Sequence, residues 1–144
     1  MKKLFFAILA IIMVGCKDGK QEEINKLKAE VLEVHDRVMA ERGTMLKLRK
    51  NLKNAAEKTT DSTGVFSKAA MQITAADDAM MEWMHQFKMP EEGTEPEEMI
   101  TYLKSEKKKM MAIEEQSEEA VQNGEQALAA NQPAEPEEEA EAQQ

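Results

Sequence analysis

From Ile24 to Leu52 an apolar residue returns at every seventh position: Ile24, Val31, Val38, Met45 and Leu52. A second set, Leu27, Val34 and Leu48, stands three residues further on and is broken at Glu41. This is the a/d repeat of a helix that buries one seam against other helices. No proline occurs between Cys16 and Met89, so nothing in that span forbids long helices. Aromatics are only 4% of the chain, which argues against a β-sandwich and for helices.

The spacing predicts a first helix over 21–58. Leu32, Met39 and Leu46 widen its stripe on one side, as in a globular bundle helix. Gly43 is its weak interior point. Residues 59–64 read TTDSTG, rich in turn and cap residues, and end it. A second helix is expected over 64–88. Its apolar face carries Phe66, Ala69, Ala70, Ile73, Ala76, Met80, Met84 and Phe87, with Met81 and Trp83 on opposite borders. After a Pro/Gly loop, Thr94 and Glu97 form a capping-box pattern around Pro96. It opens a third helix over 95–124, with Met99, Leu103, Met110, Ile113, Ala120 and Gly124 on one face. Acids crowd its second half and oppose the helix dipole, so fraying is expected after about Gln122.

The expected fold is therefore all-α: an antiparallel helical hairpin plus a third helix, a three-helix bundle over 21–128. Residues 129–144 lack an apolar period, carry five of the chain's acids and read as a disordered acidic tail.

The first sixteen residues are MKKLFFAILAIIMVGC. Two lysines precede eleven apolar residues, Leu4 to Val14, too few for a helix to cross a bilayer, which takes about 20. Residues 1–15 read as a signal peptide. Met13-Val14-Gly15-Cys16 resembles the lipobox of bacterial lipoproteins, except that Met13 stands where that family more often has Leu. The resemblance implies cleavage before Cys16, lipid on its sulfur, and residues 16–20 as anchor and tether. Lys17 stands where an Asp would imply retention at the inner membrane, so the same resemblance favours the outer membrane. The segments VHDRVMAERGTMLKLRKNL and DDAMMEWMHQF resemble small lipoproteins of Bacteroidota labelled after viral A-type inclusion proteins. That likeness implies location in the cell envelope and helical shape, and carries no catalytic residue.

Net charge is −9, and −11 once Lys2 and Lys3 are removed, which excludes nucleic acid as a natural partner. The single cysteine cannot form an internal disulfide. There is no Ser/His/Asp order, no Gly-rich phosphate loop and no HExxH. Lys107-Lys108-Lys109 reads as a solvated face. The reading is a non-enzymatic, lipid-anchored scaffold or binding module for an envelope partner. A coiled-coil spacer is one alternative.

Two constellations stand out. On a helical wheel His35, Arg42 and Arg49 fall inside the apolar face of the first helix, and Asp77 inside that of the second. A turn near Thr60 sets Arg42 opposite Asp77, and charges on facing apolar stripes need partners. An Arg42–Asp77 bridge that fixes the hairpin register is predicted. The same register gathers His35, Met39, Met81 and Met84 towards one end. Thioethers with imidazole suit Cu(I), which makes a copper protein the other alternative. Methionine at helical spacing serves equally as core filling.

Overall fold

The computed structural model describes residues 15–59, 61 and 63–131, with side chains from Gly19 onward. Of the tail expected over 129–144, residues from 132 lie outside the described set, but Ala129 and Ala130 are helical, contrary to expectation; of the signal expected over 1–15, residues 1–14 lie outside it. The fold is three helices: α1 (Gly15–Lys58), α2 (Val65–Gln86) and α3 (Pro96–Ala130). All three pack against one another, and the described residues contain no strand. The chain is an up-down-up bundle in which α1 and α3 run parallel and α2 antiparallel to both.

All eight a and d positions of α1 named by the repeat are buried. The other two helices follow the same period. In α2, Phe66, Ile73 and Met80 alternate with Ala69, Ala76 and Trp83. In α3, Leu103, Met110, Ser117 and Gly124 alternate with Glu106, Ala120 and Ala127. Near the tip the buried face of α2 also takes in Ala70 and Asp77, but it narrows towards the C-terminal end of α2, and two expectations are corrected. Trp83 lies in the seam and is buried, whereas Met84 turns outward. Leu32 does not widen the stripe of α1; it is half exposed.

The core divides into three stretches along the bundle. At the base, Ile24 and Leu27 meet Leu103. In the middle, Val31, Val34 and Val38 enclose Met80, Trp83 and Met110. At the hairpin tip, Met45, Leu48 and Leu52 pack on Phe66, Ile73 and the alanines of α2 and α3. Small residues there let the helices approach closely. A side chain at Gly124 would stand 2.9 Å from Leu48 Cδ2 and 3.2 Å from Leu52 Cδ1.

That close packing accounts for a third correction. α3 does not fray near Gln122 but continues to Ala130, because Gly124 and Ala127 are buried against α1 and the tip core. Tertiary burial outweighs the unfavourable dipole of its acidic half.

Helix ends also differ from the sequence reading. Residues 16–20, expected as a tether, are helical and belong to α1. Ion pairs to α3 tie this base down: Lys20 with Glu97, and Lys104 Nζ with Glu23 Oε1 at 2.8 Å. Glu97 is thereby engaged by Lys20, and Thr94 Oγ1 donates to the Glu91 carbonyl at 2.8 Å. Neither side chain makes the expected capping-box bond, while Pro96 does open the first turn. At the tip, Gly64 takes the left-handed conformation, φ 67°. Asp61 caps α2: its Oδ2 accepts from Ser67 N–H at 3.1 Å and Ser67 Oγ at 3.0 Å.

Candidate functional site

Charged residues flank the seams and set the order of the helices. Between the parallel helices α1 and α3, the pairs Lys20–Glu97, Glu30–Lys107 and Arg37–Glu114 each span 77 residues. Seventy-seven is a multiple of seven, so one register serves the whole interface. Lys107 Nζ meets Glu30 Oε2 at 3.0 Å. Arg37 grips Glu114 with Nε to Oε1 at 2.7 Å and Nη2 to Oε2 at 3.2 Å. The side-chain hydrogen bond from Lys107 holds the Glu30 carboxyl below its usual range despite partial desolvation. Lys107 and Lys109 are therefore interhelical and intrahelical partners, not a purely solvated run; Lys109 Nζ bonds Glu106 Oε1 at 2.7 Å.

Between α1 and α2 the structure brings Arg42 to Asp77. Nε donates to Oδ1 at 2.5 Å and Nη2 to Oδ2 at 3.3 Å, a two-pronged contact. The hydrogen bond that the guanidinium donates to this carboxylate raises the Arg42 pKa further. One heptad along, Arg49 Nη1 reaches Thr74 Oγ1 at 3.5 Å. Both fix the antiparallel register of the hairpin.

Between α2 and α3, Trp83 Nε1 donates to Glu106 Oε2 at 2.8 Å in a buried contact. Sequence reasoning missed this pair. Its signal was available: Glu106 stands three residues after Leu103 and four before Met110, at a seam position.

The four residues considered as copper ligands occupy different surroundings. His35 is half-buried; its Nδ1 lies 2.9 Å from Asp36 Oδ1, and its ring centroid 5.9 Å from that of Trp83. Met39 packs against the middle core. Met81 is half-buried and Met84 exposed. His85 turns back to the Met81 carbonyl at 2.6 Å. Among the described residues no group of three or more His, Cys, Asp or Glu side chains gathers around a common point. Cys16 lies in α1, and its side chain lies outside the described set. No helix among the described residues is long and apolar enough to cross a membrane.

A shallow groove of about 610 Å³ runs along the outer side of α1 and α2, near the tip. Lys53 and Ala56 line one wall, and Ala70, Met71, Ala75 and Asp78 the other. Met71, at 71% exposure, is the most exposed large apolar side chain among the described residues. An open, mostly apolar trough with charges at its rim suits a helix or peptide rather than an enclosed small molecule.

Comparison with protein-family models, with curated proteins and with solved structures finds no match.

Proposed function

We propose that the chain is a lipid-anchored protein of the bacterial cell envelope, outer membrane by preference. It holds a helical bundle upright and offers the bundle's far end as a binding surface. Its work is positioning rather than catalysis. The observation that carries this reading is that the lipobox cysteine belongs to the unbroken helix Gly15–Lys58, 44 residues long. At 1.5 Å per residue such a helix rises about 66 Å. A lipid on Cys16 would then sit at the base, and the hairpin tip with its groove would stand at the opposite end. The second and third helices serve to stiffen that post, since helical stability in a protein comes mainly from tertiary packing.

Stable membrane attachment takes more than one acyl chain, each buried methylene contributing about 0.8 kcal/mol. The lipobox resemblance supplies that chemistry at Cys16. The experiment is metabolic labelling with palmitate of the natural chain and of Cys16→Ala. Label confined to the natural chain supports the anchor; label that persists in the variant removes it.

A further inference from the structure

The outer stripe of α2 is built so that two copies of it fit each other. Lys68, Met71, Ala75 and Asp78 stand at spacings of three, four and three, which is one face of a helix. All four are exposed. Read backwards, the stripe exchanges a cation for an anion and a long apolar side chain for a short one. A two-fold axis perpendicular to α2 would therefore set Lys68 against the second copy's Asp78, and Met71 against its Ala75. The two-fold repeats each contact, as an isologous interface requires.

The neighbouring helix adds to the match. The Arg49–Thr74 contact places Lys53, one turn further along α1, level with Ala70, one turn back along α2. The incoming Asp78 would thus descend between Lys68 and Lys53. Within their own chain, among the described residues, Lys53, Lys68 and Asp78 form no ion pair, in contrast to the charges along the α1/α3 seam. The groove in front of Met71 and Ala75 gives the second copy's methionine a place to lie. Helices packed at the common crossing angle of about −50° separate within a couple of turns. Glu57 lines the same groove one turn beyond Lys53 and opposes the incoming carboxylate, so Lys68 is the cation that sets the register, while Glu82, one turn beyond Asp78, remains in water.

We propose that the chain forms a symmetric homodimer through antiparallel α2–α2 contact, with Met71 as its apolar anchor and two Lys68–Asp78 pairs fixing its register. The charges act chiefly on specificity, since like charges brought together there are costly. The proposal concerns the tip of the bundle and does not depend on whether Cys16 carries lipid.

The test is sedimentation equilibrium of the full chain under reducing conditions in a density-matched non-ionic detergent. Natural protein should show the mass of two chains. Lys68→Asp alone and Asp78→Lys alone should each sediment as monomers, with association weaker by roughly tenfold or more. Equimolar mixing of the two single variants should restore the dimer, because every pair in the mixed species is again opposite in charge. Lys68→Asp combined with Asp78→Lys in one chain should restore it too. Met71→Glu should give monomers, and circular dichroism should show unchanged helix in every variant. Natural protein that stays monomeric to high micromolar concentration would overturn the proposal and leave the groove to a different chain. So would a dimer that neither single charge variant weakens.

Discussion

Arg42 on α1 and Asp77 on α2 meet through two hydrogen bonds, Nε to Oδ1 at 2.5 Å and Nη2 to Oδ2 at 3.3 Å. The Asp77 side chain is only 10% exposed, while the guanidinium keeps one side towards water. A carboxylate so enclosed has one cation to answer it, and removing that cation leaves a buried charge. Arg42→Asp and Asp77→Arg should each lower the melting temperature by roughly 5 °C or more. The double exchange should recover a substantial part of the loss, because the pair is re-formed with its ends reversed. Thermal unfolding followed by circular dichroism over the four species measures the coupling. A double variant no more stable than the worse single would show that the pair does not set the register.

Trp83 and Glu106 make the corresponding link between α2 and α3, at 2.8 Å and fully enclosed. Trp83→Phe keeps most of the ring but removes the donor, and should cost about 1–3 kcal/mol. Glu106→Leu in that background should cost little more, since the buried donor and acceptor are then both gone and Lys109, the other partner of Glu106, is exposed enough to turn to water. Urea denaturation read by helix content gives the comparison. Equal losses from Glu106→Leu in the natural and the Trp83→Phe backgrounds would mean that the indole bond contributes nothing.

The helices and their order were legible in the sequence because one apolar position of the α1 heptad, from Ile24 to Leu52, recurs without a gap and the other is broken only at Glu41. The Arg42–Asp77 contact followed from the same repeat once the turn was placed at 59–64. Other parts were hidden for physical reasons. The width of each buried face depends on how many neighbours a helix has, which no single helix reveals. Trp83 and Met84 exchanged places on that account. The end of α3 was misread because the buried surface at Gly124 and Ala127 is supplied by Leu48 and Leu52, distant in sequence. Glu106 was passed over because an acid at a seam position reads as a break until its donor, on another helix, is known. The groove could not be seen at all, since its two walls come from different helices.

Acid should loosen the bundle in a defined direction. Lys107 holds Glu30 below the ordinary carboxylate value, and Lys20 does the same for Glu97. For Asp61 desolvation pushes upward, but hydrogen bonds from Ser67, Val65 and Phe66 outweigh it and the net shift is down. A depressed folded pKa means that the unfolded chain binds the proton first as pH falls. The stabilisation is then complete above the ordinary carboxylate range and is lost as pH drops through the lower, folded values. The denaturation midpoint should be level from pH 7 to about 5 and decline below that. Asp61→Asn and Glu30→Gln should each flatten the decline, and Glu30→Gln should also weaken the dependence on salt. A midpoint that rises on acidification would contradict the assignment of these carboxyls as paired anions.

Gly43 and Gly124 are both interior to helices, yet they should respond oppositely to a side chain. A Cβ at Gly43 meets nothing within 4 Å, and the position is exposed. Gly43→Ala should therefore stabilise by about 0.5–1 kcal/mol, through helix propensity and a less flexible unfolded chain. At Gly124 the same Cβ would lie 2.9 Å from Leu48 Cδ2 and 3.3 Å from Leu48 Cγ. Leu48 is itself buried, and Leu52 closes the other side, so the leucine has little room to turn away. Gly124→Ala should lose its propensity gain to that overlap and end below Gly43→Ala. Gly124→Val, with two further carbons in the same space, should destabilise by about 1–3 kcal/mol. Reducing Leu48 to Ala alongside Gly124→Val should relieve the clash, making the pair less harmful than the two separate losses added together. If Gly124→Ala proves as favourable as Gly43→Ala, α3 does not pack on Leu48 as closely as the structure has it, and its extension to Ala130 needs another cause.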